Sequence, residues 1–142
     1  MQRRNLLALA AAVLPASFVT RAAAATDAKV VYHLSDLDKV AFVLGNIGNH
    51  YSGMGGPTGV TIALVVHGPA LKAFEAASAT PGVAAQTGEL VQSGLKPYAC
   101  INTMRAFDVT VKDLLPGFGV ADKGGVVLLA ELQGQGYAYL RP

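Results

Sequence analysis

The chain carries one cysteine, Cys100, at the end of a short strand-like run from Lys96 that turns into a helix near Ile101. A lone thiol has no partner for an internal disulfide, so any chemistry it performs involves a second molecule. The unpaired N–H groups and positive dipole end of a helix beginning at Ile101 to Met104 would stabilise a thiolate, which lowers the thiol pKa and raises the nucleophilic fraction. The competing reading is packing, since free cysteine is among the most buried residue types.

The other chemistry-bearing residues are arranged around that thiol by position. His67 follows an apolar run and is the nearest base or hydrogen-bond partner for Cys100, or else a turn histidine bonded to backbone. Asn102 and Thr103 open the helix after Cys100 and can cap it, and Ser35 leaves the first strand. His33 lies inside that strand and reads as a satisfied core group. His50, near the end of the first helix, reads as a surface residue interacting with the helix C-terminus. Asn46 and Asn49 on the same helix read as a solvated face or as amides with a function. Three scattered histidines and one cysteine lack zinc-ligand spacing, so neither a metal nor a cofactor is expected.

These residues need a scaffold. Val30 to Leu34 is rich in β-branched residues and predicts a strand, and Ser35 with Asp38 makes a cap for a helix from Asp36 to Tyr51. Ser52 to Gly59 holds four glycines and a proline, which makes it a connector or a mobile flap. No Lys-Ser/Thr pair follows it, so it is not a phosphate loop. Val60 to Val66 is continuously apolar, the pattern of a central parallel strand covered on both faces.

Pro69 starts a helix that ends near Ser78, and a further helix spans about Val83 to Gln92. Pro97 to Cys100 is a third strand, followed by a helix carrying Met104 and Phe107; Thr110 with Asp113 supplies another cap. Gly124 to Gln133 fits strand or helix, with length and an Asp122 cap favouring helix. Tyr137 to Leu140 is the last strand, and Gly119 to Ala121 is a candidate fifth. Gln133, Gln135 and Tyr137 form a polar stretch suited to a site or an oligomer contact.

Strands alternating with helices predict an α/β fold, a three-layer α/β/α sandwich with a mostly parallel sheet of four to five strands. Sites in such sheets gather at the carboxyl ends of the strands. That edge collects Ser35, His67 and Cys100, although periodicity leaves strand order open.

The first residues read differently from the rest. Arg3-Arg4, an uncharged stretch from Asn5 to Val19, then Arg21 and Ala22 to Ala25 follow the order of an export signal, with cleavage after Ala25. Gln2 to Leu7 also resembles a twin-arginine signal, the alternative being an ordinary secretory one. The apolar stretch is shorter than the ~20 residues that span a bilayer. The expected organisation is therefore a signal peptide over 1–25 and one domain over 26–142, located in the periplasm with no membrane span after cleavage. Taking Arg3, Arg4 and Arg21 from the 11 basic residues leaves 8 against 9 acidic. With no basic stripe, nucleic acid is not an expected partner. High apolar and glycine content with few charges suits a covered parallel sheet or an oligomer.

Several segments together resemble the DsrE family of sulfur-handling proteins: Asn46 to His50, Val65 to Gly68, Ala99 to Met104, Asp113 to Pro116 and Leu132 to Tyr139. The resemblance runs in order through nearly all of 26–142. It implies a parallel α/β/α domain assembled into homo- or hetero-oligomers. In members with a functional cysteine, that thiol accepts sulfane sulfur as a persulfide and passes it on; by position this is Cys100, with a sulfur donor or acceptor protein or a small sulfur compound as partner. The export signal departs from relatives that work in cytoplasmic relays. Two other functions fit the residues: a non-catalytic oligomeric scaffold with Cys100 as packing, and a thiol redox sensor cycling through sulfenic acid.

Overall fold

The computed structural model describes residues 27–142. The signal peptide expected over 1–25 therefore lies outside the described residues. Five strands, β1 (Lys29–Leu34), β2 (Thr61–Val66), β3 (Lys96–Cys100), β4 (Gly119–Ala121) and β5 (Ala138–Leu140), form one sheet in the order β4-β3-β2-β1-β5. Every pairing is parallel. Four helices accompany them: α1 (Val40–Gly53), α2 (Pro81–Gln92), α3 (Ile101–Phe107) and α4 (Gly125–Gly134).

Chain order explains the layers. From β1 to β4 each new strand is laid down on the same side of the last, so right-handed crossovers put α1, α2 and α3 on one face. The step from β4 back to β5 runs the other way and puts α4 on the opposite face. Packing follows: Val43, Leu44, Ile47, Leu90 and Met104 meet Val30, Tyr32, Leu34, Ile62, Leu64, Val66 and Ala99. Leu129 and Leu132 of α4 meet Val31, Ala63 and Val65. β2, third of the five strands, is buried from Ile62 to Val66, which is why its run is continuously apolar.

Local structure departs from the sequence reading at the caps. Ser35 and Asp38 do not cap α1: a 3-10 turn at Leu37–Lys39 intervenes, its N-cap Asp36 makes no side-chain cap bond, and α1 starts at Val40. The helix expected from Pro69 to Ser78 is a 3-10 segment, Gly68–Phe74, closed by an antiparallel bridge between Glu75 and Leu114. The N-cap of α3 is Cys100 rather than Asn102 or Thr103. Asp122 does not cap α4; Gly124 does, with φ at 104°. Thr110 and Asp113 do form their capping box, and 124–133 is helical as its length favours.

Candidate active site

Successive residues of a strand point to opposite faces, and this fixes which side chains share the carboxyl edge. Val66 pairs with Ala99 in register, and both join the α1/α2 core. His67 keeps extended backbone, φ −146° and ψ 171°, so His67 and Cys100 turn to the α4 face side by side, one strand spacing apart (about 5 Å). Ser35 does not join them. Strand order places β2 between β1 and β3, and the Ser35 hydroxyl instead accepts a hydrogen bond from Arg141 Nη2 at 3.0 Å.

Cys100 stands at the point where the chain changes face. The connection leaving β3 enters α3 on one side, and the connection leaving its neighbour β4 enters α4 on the other. Such switch points open a crevice lined by helix N-termini. The backbone N–H of Gly125, first residue of α4, donates to Cys100 Sγ at 3.2 Å. Only glycine permits this approach without displacement: a Cβ on Gly125 would lie 3.3 Å from Cys100 Cβ and 3.4 Å from Val65 Cγ1.

From the other side, the backbone N–H and hydroxyl of Thr103 and the backbone N–H of Asn102 also favour the thiolate. The Thr103 hydroxyl oxygen also accepts from the N–H of Gly68 at 2.9 Å, tying the residue after His67 to the first turn of α3. Asn102 serves the site twice, since its Nδ2 closes on Gly124, 3.0 Å from where a Cβ there would stand. Burial pushes the Cys100 thiol pKa up, but the hydrogen bonds from Gly125, Thr103 and Asn102 outweigh it and hold the thiol below its ordinary value. Cys100 is 5% exposed.

His33 is not the satisfied core group the sequence suggests. Its Nε2 meets Nε2 of His67, the two rings nearly parallel at 19° with centroids 4.7 Å apart. Its Nδ1 meets the hydroxyl of Tyr139 at 2.6 Å. Burial, neighbouring His67 and Arg141 lower the pKa of His33 to about 4, against a smaller opposing effect from Asp36. Burial and Arg141 lower that of His67 as well, again against Asp36. Period-two spacing from Val31 signals the direction of His33. That Tyr139 and Arg141 meet it required knowing that β5 pairs with β1.

The remaining polar candidates lie elsewhere. His50 is not a free surface group: its Nδ1 meets the Tyr32 hydroxyl at 2.9 Å. With Asn46, Asn49 and Arg141 it lines a cleft of about 450 Å³ on the α1 side of β5. A cleft of about 610 Å³ bounded by Leu37, Lys72, Val83 and Phe107 includes none of the candidate residues. A smaller one, about 170 Å³, follows the β4–α4 connection along Tyr98, Ala121, Lys123 and Gly124, next to the glycine that holds the thiol. Gln133 bonds the Leu129 carbonyl at 3.2 Å within its own helix. Among the described residues no helix is long and apolar enough to cross a membrane.

A parallel α/β domain with a hydrogen-bonded cysteine at the switch point of its sheet defines the class. The chain belongs to the DsrE/DsrF-like family, whose model matches residues 17–142, and the family is linked to sulfur relay. Among solved structures it resembles the protein of unknown function MTH1491 from Methanobacterium thermoautotrophicum, at 29% identity and TM-score 0.72, covering 82% of this chain and all (100%) of that one. The conserved protein of unknown function BT1422 from Bacteroides thetaiotaomicron shares the fold at 20% identity and TM-score 0.60, with 80% and 94% of the two chains covered. None of the curated proteins matches the chain.

Proposed function

We propose that this protein is a sulfur carrier that holds sulfane sulfur as a persulfide on Cys100 and passes it to an acceptor thiol. The observation that carries the reading is the Gly125 N–H bond to Cys100 Sγ, joined by the donors of Thr103 and Asn102. These groups favour the thiolate, which is the attacking species in exchange at sulfur. The thiolate attacks the outer sulfur of a donor, the donor's S–S bond breaks, and the leaving group departs with the bonding pair. The same N–H groups then face the inner sulfur of the persulfide.

Export is part of the proposal: the Arg3-Arg4 and Ala22 to Ala25 pattern directs the chain to the periplasm, where N-terminal sequencing of the secreted protein should begin at Thr26. Homo-oligomerisation is the other part. Val126 and Val127 on α4 are 71% and 41% exposed, apolar surface of the kind that subunit contacts cover.

The 5% exposure of Cys100 favours the scaffold reading, in which the thiol only packs. Intact mass separates the two. After incubation with polysulfide, wild type should gain the mass of one or more sulfur atoms, removable by cyanide, and Cys100→Ser should gain none. A wild-type thiol that takes up no sulfur and resists alkylation until denatured would establish packing. Oxygen-mass adducts with peroxide and none with polysulfide would point to a redox sensor.

A further inference from the structure

Two imidazoles whose Nε2 atoms face each other hold one hydrogen between them, so one ring donates and the other accepts. Only two neutral arrangements satisfy the whole chain from Tyr139. In the first, the Tyr139 O–H donates to His33 Nδ1, His33 Nε2–H donates to His67 Nε2, and His67 carries its hydrogen on Nδ1. In the second every hydrogen has moved one place, so that His67 Nδ1 is bare and Tyr139 accepts. The two differ by one proton delivered at His67 Nδ1 and one taken up at Tyr139. Tyr139 is 41% exposed and reaches solvent, whereas His67 follows Val66, whose register partner Ala99 precedes Cys100.

We propose that Tyr139, His33 and His67 form a proton wire serving the sulfur bound at Cys100. The proposal rests on the sulfur-carrier reading and specifies how the departing thiolate is protonated. In loading, the Cys100 thiolate attacks the outer sulfur of R–S–SH; the S–S bond breaks, R–S⁻ leaves with the pair, and His67 Nδ1–H protonates it to R–SH. His67 Nε2 takes the His33 hydrogen, His33 Nδ1 takes that of Tyr139, and water restores Tyr139. Unloading runs the wire backward. The acceptor R′–SH gives its proton to His67 Nδ1 and attacks the outer sulfur of Cys100–S–SH, leaving Cys100 thiolate while one proton exits at Tyr139. Each half-reaction thus resets the tautomers for the other, and no oxidant or reductant is consumed.

The surroundings keep such a wire neutral. Burial and the Arg141 guanidinium disfavour a charge on either ring, and Asp36, which would favour one, is itself paired with Arg141 at 3.7 Å. A neutral wire matters most when the departing group is strongly basic, because a poor leaving thiolate gains most from protonation.

The test is loading rate, read by mass, with persulfides of an alkyl thiol and of a strongly acidic nitroaromatic thiol. Wild type should load from both at rates that differ little. His67→Gln should slow the alkyl donor by about 100-fold, the size of a lost general acid, and slow the nitroaromatic donor far less. Tyr139→Phe, which removes one hydroxyl from an exposed ring, should slow the alkyl donor by about 10-fold and shrink its solvent isotope effect. Circular dichroism and a cooperative thermal transition show that each variant is folded. Equal alkyl rates in wild type and both variants would overturn the wire while leaving the carrier intact. Absence of sulfur uptake by wild type from either donor would overturn both.

Discussion

The backbone N–H of Gly125 donates to the sulfur of Cys100 at 3.2 Å, joining residues that belong to different layers of the fold. Cys100 ends β3 and caps α3 on one face, and Gly125 begins α4 on the other. The thiol is thereby held by donors from both sides of the sheet.

Placing a methyl group at Gly125 should disturb that arrangement directly. In Gly125→Ala the new Cβ crowds Cys100 and Val65, so α4 must retreat and the N–H to sulfur bond lengthen. We expect the pH midpoint of Cys100 alkylation to rise and stability to fall by about 1 kcal/mol, read from the iodoacetamide rate against pH and from denaturant unfolding. An unchanged midpoint would remove Gly125 from the control of the thiol.

Thr103 links the thiol to the turn after His67 through the Gly68 N–H. Thr103→Val keeps the shape and deletes the acceptor, so the Gly68 N–H loses its partner and the sulfur loses a donor. A loss of about 1–2 kcal/mol and a higher alkylation midpoint are expected, with Thr103→Ser close to wild type on both measures.

The histidine pair makes stability depend on pH with a definite sign. The pKa of His33 is about 4 in the folded chain against 6.5 as an ordinary group, so between these values the unfolded chain binds more protons and acid favours unfolding. The stabilising effect of keeping the ring neutral is full above pH 6.5 and is lost as pH falls toward about 4. The loss should be on the order of 2 kcal/mol after discounting for solvent reaching the pair. Melting temperature measured across that window should fall less steeply in His33→Gln than in wild type.

Thr87 is a buried residue of α2 whose hydroxyl has no hydrogen-bond partner among the described residues. Thr87→Val replaces that hydroxyl with a methyl group of nearly the same shape and should stabilise the fold by about 1 kcal/mol. Denaturant midpoints of the two proteins, with equal slopes, provide the check. A destabilised valine variant would show that the hydroxyl is satisfied in solution.

By itself the sequence determined what depends on local order along the chain. The uninterrupted apolar run of Val60 to Val66 required a strand covered on both faces, alternation of strands and helices required a parallel α/β sheet, and Cys100 at a strand-to-helix junction required backbone donors near its sulfur. These follow from periodicity and from the unpaired N–H groups of a helix start, which act within a few residues. His67 beside Cys100 also follows, once β2 and β3 are neighbours. Ser35 was misplaced because every strand's carboxyl end shares one edge, and only lateral order says which ends touch.

Tertiary structure decided that order. The chain reverses direction after β4, and that single reversal sends α4 to the opposite face, carries Gly125 to Cys100 and brings β5 against β1. His33 then meets Tyr139, 106 residues away in sequence, and a group that local pattern assigned to the core becomes part of a hydrogen-bonded chain. Pleat alternation tells which way a side chain points; only the pairing of strands distant in sequence tells what it finds there.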